Sequence, residues 1–128
     1  MDFPFIDLGV LFNELINDPI TRELIESVYS KYYTNPLTEP VVIANLMNHL
    51  SQAHQWVRFR LRPYLPYEIN DLGLIETLEY IIKLKFLSTL ALLASNKQKK
   101  EFYDNELFTT IKNLENNYNI KFIDIRFL

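Results

Sequence analysis

The sequence predicts a mainly α-helical fold: five or so helices packed around a long central helix, with a small two-stranded antiparallel sheet. Three observations predict it. Apolar residues recur at helical period through most of the chain, and one run, residues 72–94, is so apolar that it belongs at the centre. Two further stretches, 56–62 and the tail after Asn117, switch to aromatic and β-branched alternation. A length of 128 residues fits one domain, 1–128, and a hydrophobic content of 48% supports an ordinary core.

The elements follow in order. Ile6, Val10, Leu11, Leu15 and Ile16 keep a helical period up to Asn17. Asp18-Pro19 then suits the N-cap and first position of a second helix, whose inner stripe is Ile20, Leu24, Ile25, Val28 and Tyr32 and which Asn35-Pro36 ends. A third helix opens near Thr38-Glu39-Pro40, buries Val42, Ile43, Leu46, Met47 and Leu50, and closes before Ser51 into a polar loop. From Trp56 to Arg62, Val57, Phe59 and Leu61 alternate with Arg58, Arg60 and Arg62, a strand pattern that sets the three arginines on one face. Asn70-Asp71 caps the central helix, Leu72 to Ala94, with Leu74, Leu78, Ile81, Ile82, Phe86, Leu90 and Leu93 inside. Ser95-Asn96 breaks it, and Lys97 to Lys100 form a basic turn or short helix. Asp104 caps a last helix carrying Leu107, Phe108, Ile111 and Leu114, which Asn116-Asn117 ends. The tail NIKFIDIRFL reads as a closing strand that pairs with residues 56–62.

Composition excludes several kinds of chemistry. Without cysteine there is no disulfide, thiolate metal site, iron–sulfur cluster or cysteine nucleophile, and a reducing compartment, the cytoplasm, is expected. MDFPFIDLGV lacks a basic leader region, and Lys83 and Lys85 interrupt the longest apolar stretch, so neither signal peptide nor membrane span is expected. Gly9 and Gly73, the only glycines, cannot spell a P-loop or a dinucleotide fingerprint. His49 and His54 have no partner at ligand spacing, so no metal site is expected. Glu76 and Glu79 read as solvated charge on a helix face. No catalytic residue, enzyme activity or cofactor is expected. The excess of Ile, Leu, Tyr, Lys and Glu over Gly and Cys is that of a thermophile's protein.

Charge is unevenly placed. Net charge is −3, yet residues 1–39 hold seven acids against Arg22 and Lys31, while no acid stands between Glu39 and Glu68. That acid-free stretch carries His54, Trp56, Arg58, Arg60 and Arg62. Guanidinium forks match phosphate and an indole offers a surface for a base, so these residues are candidates for binding a triphosphate or a single strand. The competing account pairs the arginines with Asp124, Glu68 or the acidic first arm, and buries Trp56 as a core anchor. Lys97, Lys99 and Lys100 read as an ordinary basic helix end.

Two family resemblances bear on function. FPFI at 3–6 is similar to the Phe-Pro-Pro-Cys-Ile opening of the C-terminal domain of the archaeal and eukaryotic primase large subunit, with Phe5 where that family has a cysteine. ITRELIESVYSKYY places Arg22 where the family has an arginine that helps hold template or initiating nucleotide, while the family's preceding histidine falls on Pro19. QAHQWVRFRLRPYLPYEI lies at the family's aromatic and basic nucleotide-contacting stretch, with Trp56, Arg58 and Arg60 as counterparts. The resemblance covers roughly the first seventy residues and none of the later cysteines, which points to a cluster-free, small non-catalytic relative in archaeal primase. It implies an accessory subunit that joins the catalytic and large primase subunits in a hetero-oligomer. There it would bind a nucleotide triphosphate and single-stranded DNA template to promote primer synthesis. LPYEINDLGLIETLEYI is similar to the small helical subunit of type III CRISPR effector complexes through Pro66, Ile69, Gly73, Leu74, Thr77, Leu78 and Tyr80. That resemblance implies a nucleic-acid-binding subunit of such a complex. A protein–protein adaptor without nucleic-acid binding is the third expectation, resting on the acidic arm and the apolar helix.

Overall fold

The computed structural model describes residues 3–63, 71–118, 120–123 and 125, and for Arg62 and Pro63 the backbone only. Expectations that fall on Asn70, Pro66, Ile69, Glu68, Asp124 and the Arg62 side chain lie outside the described residues. Helix α1 spans Leu8–Ile16, begun by Asp7, whose carboxylate accepts from the Val10 amide at 3.2 Å. Helix α2, Pro19–Tyr29, starts where the Asp-Pro pair predicts: the Asp18 carboxylate accepts from the Thr21 amide at 3.0 Å and from its hydroxyl at 3.1 Å. It ends six residues before the expected stop at Asn35 and buries Thr21, Leu24 and Ile25. Ile20 and Tyr32, expected inside, are exposed because the buried stripe runs through Thr21 instead.

A 3-10 turn at Pro36–Thr38 leads into α3, Pro40–Arg60. This helix corrects two expectations, the loop after Leu50 and the strand from Trp56. Val42, Leu46, Leu50, Ala53 and Val57 are buried at spacings of three and four, a stripe that the small Ala53 carries across the polar stretch 51–55. Val57 and Leu61 continue it, whereas Phe59 is 64% exposed, so the alternation in VRFRLR is coincidental with a helical period. Strand β1 is only Leu61–Pro63 and pairs antiparallel with β2, Ile120–Phe122, in the register Leu61 to Phe122, Arg62 to Lys121 and Pro63 to Ile120. Leu61, Ile120 and Phe122 are buried. The Ile123 amide donates to the Arg60 carbonyl at 2.9 Å, and Glu115 accepts from the Phe122 amide at 2.9 Å, so the tail closes the end of α3.

Helix α4, Leu72–Leu93, is the spine: it packs against α1, α2, α3 and α5 (Lys97–Asn117). Leu74, Leu78, Ile81, Ile82, Phe86 and Leu90 are fully buried, which requires neighbours on more than one side; Leu93, at the end, is exposed. The Asp71 carboxylate caps it, accepting from the Leu74 amide and the Tyr118 hydroxyl, both at 3.0 Å. Gly73 allows that approach, since a Cβ there would stand 3.0 Å from the Tyr118 oxygen. The helix ends with Asn96 donating to the Ala91 carbonyl and Ser95 to Leu92, which forces Ser95 to φ 55°. Asn96 at once caps α5 by accepting from the Lys99 amide at 3.0 Å. The last helix therefore begins at Lys97 and not at Asp104, and Phe108, expected inside, is 45% exposed. None of the helices is long and apolar enough, among the described residues, to cross a membrane.

Candidate functional site

The end of α3 packs against α4, whose middle is tied to the first turns of α5, and there the cations gather. Trp56 packs half-buried against the core. The Arg60 guanidinium lies 4.7 Å from its ring centroid and the Lys85 ammonium 4.9 Å, so two cations already engage the indole. Arg60 also donates to the Trp56 carbonyl at 3.1 Å, one turn back, where positive charge suits the carboxyl end of a helix. Burial, above all, holds the Lys85 amine below its ordinary range; Lys100 and Arg60 push it the same way, and Asp104 opposes them. Asp104, expected as a cap, instead lies inside α5. It accepts from Ser88 at 2.5 Å and pairs with Lys100, tying α5 to α4.

The expected site residues separate accordingly. Residues two apart on a helix point about 200° from one another, so Arg58 and Arg60 do not share the face that a strand would have given them. Arg58 is exposed and makes no ion pair among the described residues. His54 turns its ring edge to Phe3, with centroids 5.5 Å apart. Its Nε2 is buried without a hydrogen-bond partner among the described residues. Burial first, then Arg58, lowers its pKa, so it is neutral at pH 7 and is not a phosphate-pairing cation. Arg22 closes the end of α1: its Nε donates to the Ile16 carbonyl at 2.6 Å and its Nη2 faces the Asn17 side chain at 3.4 Å. It belongs to a different part of the molecule's bonding from Trp56.

Sequence reasoning missed Lys85, and set Lys100 aside as part of an ordinary basic helix end. Lys85 falls at i+4 from the buried Ile81 and i−3 from the buried Ser88, so a lysine at an inward position of the most apolar helix was the available signal. Among the described residues no group of three or more His, Asp or Glu side chains is placed to hold a metal ion. The arrangement is suited to binding: two cations, Arg60 and Lys85, converge on one indole, while Lys100 and its carboxylate partner Asp104 both act on Lys85. Compared with known proteins, the chain matches no family model, no curated protein and no solved structure.

Proposed function

We propose that this chain is a non-catalytic accessory subunit of a primase, one that holds the phosphates of an initiating nucleotide or of single-stranded template at the end of α3. The observation that carries the reading is the convergence of Arg60 and Lys85 on Trp56, with Lys100 close enough to act on Lys85, in a chain whose net charge is −3. Local excess of positive charge inside an acidic protein selects polyanions and steers them to one place. In this reading the domain positions reactants while the partner performs the polymerisation chemistry, so its contribution is one of proximity. The type III CRISPR alternative concerns an all-helical bundle, to which the paired strands Leu61–Pro63 and Ile120–Phe122 are foreign.

The test is primer synthesis reconstituted with the catalytic and large primase subunits. Arg60→Ala with Lys85→Met is expected to lower initiation well beyond any effect on elongation. Equal loss in both phases, or no loss in either, counts against the reading.

A further inference from the structure

Trp56 is the surface on which the sequence expectation places a nucleobase, and its surroundings decide whether a base has room there. Aromatic rings that stack hold their centroids about 4.5–7 Å apart. The Arg60 guanidinium at 4.7 Å and the Lys85 ammonium at 4.9 Å already stand at that distance from the indole centroid. The ring also packs against the core. A base would therefore stack only by displacing a cation, and Arg60 is tethered further by its bond to the Trp56 carbonyl at 3.1 Å.

Phosphate meets no such obstacle. A cation over an indole keeps its N–H donors, and the ring favours its charged form. Arg60 and Lys85 are each half-buried, so both reach solvent. Among the described residues the Lys85 amine makes no ion pair and no hydrogen bond, which leaves an ammonium with donors and no protein acceptor. Lys100 and Arg60 add like charge beside it, and the Asp104 carboxylate that offsets them is already bonded to Ser88 and Lys100. A bound phosphate would supply both the acceptor and the compensating charge.

We infer that the site recognises the phosphate chain of a nucleoside triphosphate and is blind to its base, with Arg60 and Lys85 holding the phosphates and Trp56 acting as a positioning residue that keeps these two cations in place. The inference rests on the reading of the cluster as a nucleotide site, and adds that a first nucleotide held here is not selected by its base.

The experiment measures binding of tripolyphosphate, ATP, GTP, CTP and adenosine to the full chain by isothermal titration calorimetry, at low salt and without divalent cations. Stacking of a base on an aromatic ring is worth about fivefold or more in affinity, so the three nucleotides and tripolyphosphate should agree to better than that factor, and adenosine should not bind. Trp56→Leu, which removes the ring, should weaken ATP and tripolyphosphate by the same factor, and Trp56→Phe should restore most of the loss in both. ATP binding about fivefold or more tighter than tripolyphosphate, binding of adenosine, or a Trp56→Leu loss confined to ATP overturns the inference and leaves the proposed function standing. Absence of binding by every one of the anions removes both.

Discussion

Replacing Asp104 by alanine should be among the most damaging single changes to this fold. Its carboxylate is 14% exposed, its Lys100 partner 16% and the bonded Ser88 only 2%, so all three groups have left most of their water behind. Removing the carboxylate orphans a mostly buried ammonium and a buried hydroxyl, and takes away the charge that offsets the repulsion of Lys85 by Lys100 and Arg60. A fully buried pair broken in this way costs about 3–5 kcal/mol, and the residual exposure of both ends lowers the expected loss to about 2–4 kcal/mol. Unfolding entropy of about 2.1 cal/mol/K per residue makes each kcal/mol worth about 4 °C in Tm for a chain of this length, so a fall of about 8–15 °C is expected. Differential scanning calorimetry reads it directly. The triple change Ser88→Ala, Lys100→Met and Asp104→Leu, which replaces the polar set with apolar groups, should recover to within about 1–2 kcal/mol of the parent. An Asp104→Ala variant that loses less than about 3 °C would refute the view that this carboxylate ties α4 to α5.

Four further outcomes follow from the same physics. Ser95→Gly relieves a side chain held at φ 55° and should raise stability by about 0.5–1 kcal/mol in chemical denaturation. Asp18→Ala removes the cap of α2 and its two bonds to Thr21, and should cost about 1–2 kcal/mol by the same measurement. Phe86→Ala empties a site with no solvent exposure at the centre of α4 and should cost about 3–5 kcal/mol, with the cavity it leaves setting the value in that range. His54 sets an acid-side dependence. Its native pKa lies below the ordinary 6.5, so the unfolded chain takes the proton first and stability falls as pH drops through 6.5, levelling only below the native value. His54→Gln should flatten that part of the stability–pH curve, and an unchanged slope would exclude His54 as its source.

Legibility in the sequence followed the strength of local chemistry. Asp18-Pro19 and Asp71 mark helix starts because a carboxylate at the N-cap and a missing amide at the next position each satisfy a backbone requirement without help from the rest of the fold. The apolar density of residues 72–94 likewise identified the spine. At the end of α3 two periods competed. VRFRLR alternates like a strand, but Val57 and Leu61 are also four apart, and the core contacts of that helical stripe decided the outcome. Asp104 is equally instructive: a helix-capping residue type sat mid-helix because Asn96 had already capped α5 and because Ser88 and Lys100 needed an acceptor. The cation cluster was half legible. Arg60 and Trp56 were visible as neighbours in sequence, whereas Lys85 reaches the indole, and Lys100 reaches Lys85, only through the packing of α4 on α3 and α5.

Trp56 is the chain's only tryptophan, so its fluorescence reports directly on the two cations beside it. Titration with ATP and with an unphosphorylated single-stranded oligonucleotide should produce a saturable change in that emission. The change should weaken with added salt and disappear in the Arg60→Ala, Lys85→Met double variant. Emission that stays constant with both ligands, or that responds identically in the double variant, would contradict the assignment of this cluster as the binding site.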